Sequence, residues 1–160
     1  MSTRSVRGFT LLETLIATGI LVTALAGIAQ LFVLSVRFTR ESAQSAVALG
    51  SAQEKLESLR ALTYGFDDAG EPIVDARLAP SPPSSLSNDT APYADWLDAA
   101  GSAVDGPDAA AYVRRWRIFA FDGHVPDAIA IEVCVFRAPA GERGPDAAEA
   151  CLATMRARQP

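Results

Sequence analysis

An α+β fold is what this sequence predicts: one long N-terminal helix followed by a small antiparallel sheet. Three observations lead there. Phe9 to Val36 is an apolar run containing a single charge, Glu13. Arg37 to Leu62 continues without proline, and its apolar residues keep helical spacing. Tyr112–Phe121 and Ala128–Arg137 alternate as strands do. A helix first and strands afterwards, rather than alternating units, predicts separate α and β layers.

The chain begins with a basic leader. Met1 to Gly8 carries Arg4 and Arg7 and no acid, so it stays on the cytoplasmic side of a membrane. Thr14 to Val36 is uncharged and long enough to cross a bilayer. Everything after Val36 then lies on the far side. Glu13 stands at the start of this segment, where an ionisable group is costly and marks function. Gly19, Thr23 and Gly27 recur every four residues, a spacing that lets helices approach closely in lipid. Small residues are also simply common in such helices.

The residues at this boundary carry a resemblance. Gly8-Phe9-Thr10-Leu11-Leu12-Glu13 resembles the cleavage and methylation motif of type IV prepilins and type II secretion pseudopilins. The resemblance implies that a prepilin peptidase cuts between Gly8 and Phe9 and that an N-methyltransferase modifies the new N-terminus, Phe9. It implies a pilin fold, a long helix with a transmembrane first half packed on a small antiparallel sheet. It also implies an inner-membrane subunit of a bacterium, with a cytoplasmic N-terminus and a periplasmic domain, that later enters a pilus or pseudopilus. Glu13 matches the family's glutamate, which meets the α-amine of a neighbouring subunit. An unpaired buried charge is strongly penalised, so such a pair rejects wrong registers. The rival reading is an ordinary secretory signal, in which Ala24-Leu25-Ala26 would be cut to release a chain starting at Gly27. Glu13 interrupts the apolar region such a signal requires, and the run continues past that site to Val36.

Five segments follow from this reading. They are a leader over 1–8, the membrane and assembly half of the helix over 9–36, an amphipathic periplasmic half over 37–62, a variable loop region over 63–111 and the sheet over 112–160. In the second half of the helix, Phe38, Ser42, Ala46, Leu49, Gln53, Leu56 and Leu59 form the predicted stripe. A helix over 9–62 would be ~80 Å long at ~1.5 Å per residue. Pro72, Pro80, Pro82, Pro83, Pro92 and Pro107 punctuate the loop region. Tyr93 to Ala100 reads as a short helix within it, and Tyr93, Trp96 and Leu97 either form a contact patch or pin the loop to the sheet.

In the sheet, Tyr112, Trp116, Ile118 and Ala120 are expected on one face and Arg115, Arg117, Phe119 and Phe121 on the other. Asp122 to Asp127 reads as a turn. Ile129, Ile131, Val133 and Val135 share a face of the next strand, Ala138–Asp146 is a loop, and Glu149–Arg156 is a last strand. The stretch around Trp116, Ile131-Glu132-Val133 and Leu152-Ala153-Thr154-Met155-Arg156 resembles PilV-type minor pilins and their pseudopilin equivalents.

Cys134 and Cys151 are the only cysteines. In an oxidising periplasm they form a disulfide; two buried thiols are the alternative. Two cysteines and one histidine lack the spacing of a metal site, so no metal or other cofactor is expected. The sole histidine, His124, lies in the turn, and no nucleophile-elbow motif accompanies it. Asp67-Asp68 and Asp105-Gly106-Pro107-Asp108 lack calcium-loop spacing and read as turns. The net charge is −5, which argues against a nucleic-acid binder. Arg114, Arg115 and Arg117 would touch DNA or an acidic partner subunit, or else make salt bridges on the sheet.

The expected function is structural. The chain is no enzyme but a substrate of the peptidase and the methyltransferase. It reads as a minor subunit of a type IV pilus that helps initiate or cap the filament, with other major and minor pilins as partners through the N-terminal helix. A minor pseudopilin of a type II secretion system, or a membrane-tethered adhesin or DNA-uptake tip subunit, are the other readings.

Overall fold

The computed structural model of the protein describes residues 10–121 and 127–158. It is α+β: a single long helix, α1 (Leu11–Arg60), precedes a five-stranded antiparallel sheet. The chain divides into two units within α1, at Ser42.

In the first unit α1 is apolar and bare. Leu15, Ile20, Leu31 and Phe32 are each 66–69% exposed. The helix is long and apolar enough to cross a membrane. Its hydroxyls suit that setting, because hydrocarbon offers no water to bond with. Thr14 donates to Leu11 O at 2.9 Å, Thr18 to Thr14 O at 2.9 Å and Thr23 to Gly19 O at 3.1 Å.

The second unit packs the rest of α1 on the sheet. The strands are β3 (Ala94–Leu97), β4 (Ala103–Val104), β5 (Tyr112–Ala120), β6 (Ala128–Arg137) and β7 (Ala150–Ala157), following the hairpin of β1 (Tyr64–Phe66) and β2 (Pro72–Val74). The sheet order is β4-β3-β5-β6-β7, antiparallel throughout. Ile118, Ile131, Val133 and Val135 are fully buried on the helix side, with Tyr112 and Trp116 beside them. Full burial of one such aliphatic side chain stabilises by ~1.5–3 kcal/mol. A smaller core lies on the outer face, where Val113, Cys134 and Phe136 meet Leu86 and Ala140.

The helix stripe differs from the expected one. Leu56 and Leu59 are buried as the spacing predicts, but Ala48, Ser51 and Ala52 bury themselves in place of Ala46, Leu49 and Gln53. Short side chains let the backbones approach, so Leu49 is left outside. Gly101 shows how close the approach is. Its φ is +87°, and a Cβ there would lie 2.7 Å from Ser51 Oγ. Only glycine meets both demands.

The loop region is more ordered than its prolines suggest. Tyr93–Ala100 is not a helix: Ala94–Leu97 forms β3, paired with β5. The period of alternating burial is short there, and the neighbouring strand supplies the hydrogen bonds that decide it. Leu97 is buried in the main core, Tyr93 packs against that core and Trp96 against the outer one, so all three pin this segment to the sheet. The predicted turn at Asp122–Asp127, with His124, lies outside the described residues except for Asp127. The last strand runs one residue later than the expected Glu149–Arg156.

Cys134 and Cys151 are joined by a disulfide across directly paired positions of β6 and β7, with Cα atoms 4.1 Å apart. It closes a loop of sequence separation 17, which stabilises by ~3 kcal/mol through lost unfolded-state entropy. The Cys134→Ala, Cys151→Ala double variant is therefore expected to unfold at lower urea concentration, followed by fluorescence of Trp96 and Trp116. An unchanged midpoint would show that the bond adds no stability.

Candidate assembly site

Thr10 starts α1. Its Oγ1 accepts from Glu13 N–H at 3.3 Å, and its carbonyl accepts from Glu13 N–H at 3.1 Å and from Thr14 N–H at 3.2 Å. This is an N-cap at Thr10 with an acid three residues on. Glu13 also lies where the positive end of the helix dipole favours an anion. The Thr-x-x-Glu spacing was legible in the sequence, yet it is easily overlooked beside the apolar run. Glu13 is exposed, and its carboxylate makes no ion pair among the described residues. Gly8 and Phe9 lie outside the described residues.

Gly19, Thr23 and Gly27 are all exposed on α1, and a Cβ at either glycine would meet nothing within 4 Å. Within the single chain nothing in the packing requires glycine at these positions. The first unit thus presents one charged group near its start and small residues at four-residue spacing, all uncovered.

The three arginines of β5 are each paired with an acid. Arg114 donates to Asp95 through Nε and Nη2, both at 2.9 Å, and to Ser51 O at 2.7 Å, fixing β5 to α1. Lys55 Nζ lies 3.0 Å from Asp95 Oδ2 and 3.6 Å from the centre of the Trp116 ring. Arg117 pairs with Glu132 across the sheet at 2.6 Å. Arg115 is fully buried: Nε bonds Asp89 at 2.8 Å, Nη1 donates to Ser87 O and Nη2 to Gly141 O. Of the two readings of the basic strand, these geometries give salt bridges.

The acidic stretches fold into turns. Asp67 Oδ1 accepts from the N–H groups of Ala69 and Glu71, and Asp98 Oδ1 from those of Ala100 and Ser102. Asp75 caps the short 3-10 turn Ala76–Leu78. Hydrogen bonds from the Arg77 side chain and backbone hold its carboxyl at about 2, below the ordinary 3.8. A depressed carboxyl stabilises the fold above its unfolded value, and that contribution disappears as the pH falls towards 2.

A recess of about 450 Å³ beside the main core is lined by Lys55, Leu59, Tyr93, Asp95 and Trp116 among others. Lys55 and Asp95 satisfy each other there. Among the described residues no group of three His, Cys, Asp or Glu side chains is placed to hold a metal ion. Comparison of the chain with protein-family models, curated proteins and solved structures finds no match.

Proposed function

We propose that the chain is a prepilin-type structural subunit, anchored by α1 in the bacterial inner membrane with its sheet unit in the periplasm. A peptidase removes residues 1–8, Phe9 is methylated, and the subunit joins its relatives helix against helix as a minor component that initiates or caps a type IV pilus. One observation carries the reading. A single carboxylate, Glu13, stands at the capped start of a helix whose exposed apolar stretch carries no other charge up to Val36, shortly after Gly8-Phe9. A plain membrane anchor gains nothing from that charge. A helix bundle does, because the α-amine of a neighbour matches it and only one register pairs them. The exposed Gly19, Thr23 and Gly27 give such a bundle a close-approach face. The pilin fold fits the same picture: a sheet unit carried on the second part of α1.

A minor pseudopilin would show the same features, and which machine the subunit serves is decided by its partners. The test of the shared claim is expression with and without a prepilin peptidase. The chain is expected to lose the mass of Met1–Gly8 only when the peptidase is present. Cleavage after Ala26 by the general secretory peptidase in both cultures would refute it.

A further inference from the structure

The second unit leaves one edge of its sheet open, at β7. Arg158 N–H donates to Asp127 O at 3.1 Å, which makes 127 and 158 a hydrogen-bonded pair. Stepping by two along the register, Ile129–Arg156, Ile131–Thr154 and Val133–Leu152 are hydrogen-bonded pairs as well. The backbone N–H and C=O groups of Cys151, Ala153, Met155 and Ala157 therefore point away from β6. Among the described residues no backbone group bonds them; Met155 O receives only Thr154 Oγ1, at 3.5 Å. Natural sheets protect such edges with lysine, proline, bulges or very short strands. The opposite edge, β4, has two residues, whereas β7 has eight and neither proline nor lysine.

The same strand ends in two cations without acids. Every lysine and arginine of the unit from Lys55 to Arg137 forms an ion pair. Past that point Arg143, Arg156 and Arg158 form none among the described residues, and the last two lie two residues apart at the end of β7. Each of the two donates through Nη1 to a carbonyl, Arg156 to Leu62 O at 2.6 Å and Arg158 to Gly65 O at 3.2 Å. Arg158 Nε has no partner among the described residues. Their guanidinium carbons lie 5.8 and 4.5 Å from the centre of the Tyr64 ring. In a unit this rich in acids, two neighbouring cations left without one stand apart from the other strand arginines.

We propose that β7 takes an extended segment of another polypeptide as an additional antiparallel strand, with an aspartate or glutamate opposite Arg156 and apolar residues over Ala153 and Met155. Main-chain bonds to the outward residues of β7 hold such a segment, and its alternate side chains give specificity. Arg156 spends its backbone groups on β6, so it faces the new strand in a non-hydrogen-bonded pair. That is the closer of the two spacings, and facing side chains meet there. The acid then lies against Arg156 with Arg158 beside it, and Met155, 59% exposed, gains an apolar neighbour. A second copy of this chain does not meet these terms. α1 and β7 run the same way, because Arg137 at the end of β6 donates to Gln44 at 2.8 Å while Arg156 at the end of β7 donates to Leu62 O. Copies anchored in one membrane would bring β7 to β7 in parallel and crowd Arg156 against Arg156. Only this exclusion of a second copy rests on the filament reading; the open edge and the two arginines belong to the sheet unit alone.

The test presents a random library of short peptides to the full chain in detergent. Enriched peptides are expected to lack proline, to place β-branched or aromatic residues at alternate positions and to share an aspartate or glutamate at one position. For the tightest of them, replacing that acid by its amide is expected to weaken binding about fivefold. Arg156→Gln combined with Arg158→Gln is expected to remove that difference. Hydrogen exchange of the unsubstituted chain is expected to slow at the amides of Cys151, Ala153, Met155 and Ala157 when the peptide is bound. Ala153→Pro removes an N–H that faces away from β6 and is expected to weaken binding by at least about tenfold with tryptophan fluorescence unchanged. No enriched peptide, enrichment without an acid, an acid preference indifferent to the arginine substitutions, binding indifferent to Ala153→Pro, or protection of amides elsewhere than β7 would each overturn the proposal. A dimer of the chain that competes with the peptide would do the same.

Discussion

Glu13→Gln is expected to insert into the membrane as the wild type does and to be lost from assembled filaments. Glutamine keeps the size of the side chain and leaves the Thr10 cap in place, because that cap uses Glu13 N–H rather than its carboxylate. What it removes is the charge. Insertion depends on the uncharged segment that follows, so the membrane-bound amount should hold. In the assembly we propose, the carboxylate matches a neighbour's α-amine, and without it that amine would be buried unpaired at a cost of ~3–5 kcal/mol. Such a penalty recurs at every attempted docking, so incorporation should fall by ~100-fold or more, at ~1.4 kcal/mol per tenfold. Immunodetection in sheared filaments against the membrane fraction reads both quantities. If Glu13→Gln enters filaments normally, the carboxylate serves only the helix dipole, a role worth ~0.3–1 kcal/mol.

The second large effect is expected at Arg115. Its guanidinium is fully buried between the outer face of the sheet and two loops, bonded to Asp89 and to carbonyls of Ser87 and Gly141, and stacked 4.8 Å from the Phe136 ring centre. Arg115→Ala strands a carboxylate and carbonyl groups and opens a void beside Phe136. Asp89 itself is 32% exposed, so the main losses are the buried carbonyls left unpaired, at ~1–3 kcal/mol in all, and the void. The Arg117–Glu132 pair is the natural contrast. Its side chains are 34% and 29% exposed, and solvent screening leaves such a pair ~0.2–1 kcal/mol. Urea unfolding followed by tryptophan fluorescence should place Arg115→Ala far below Arg117→Ala. Equal midpoints would mean that the two loops hold without the arginine.

The sequence showed the helix and the strands β5 and β6 because their periods are long and their residues strongly sorted. Ile129, Ile131, Val133 and Val135 alternate without exception, and they form the helix side of the sheet. The disulfide partners were visible by elimination among two cysteines. Three features were hidden for physical reasons. Ala48 and Ala52 face the sheet because close backbone approach rewards small side chains, while hydropathy pointed to Leu49. β3 was read as a helix because four residues between prolines carry too little period, and its strand state depends on pairing with β5. Arg115 was expected on the face of β5 opposite Tyr112 and Trp116, with no sign that it would be fully buried. Its burial comes from loops distant in sequence folding over it, which no local pattern announces. At the candidate site, Glu13 was legible as a lone charge, and its place at a capped helix start was written in Thr10-x-x-Glu13.

The most direct measurement is the intact mass and N-terminal sequence of the protein isolated from its native membrane. A chain that begins at N-methylated Phe9 is the expected result, since the account assigns Gly8-Phe9 to cleavage and Phe9 to methylation. A chain that begins at Gly27, or one that retains Met1, would contradict it.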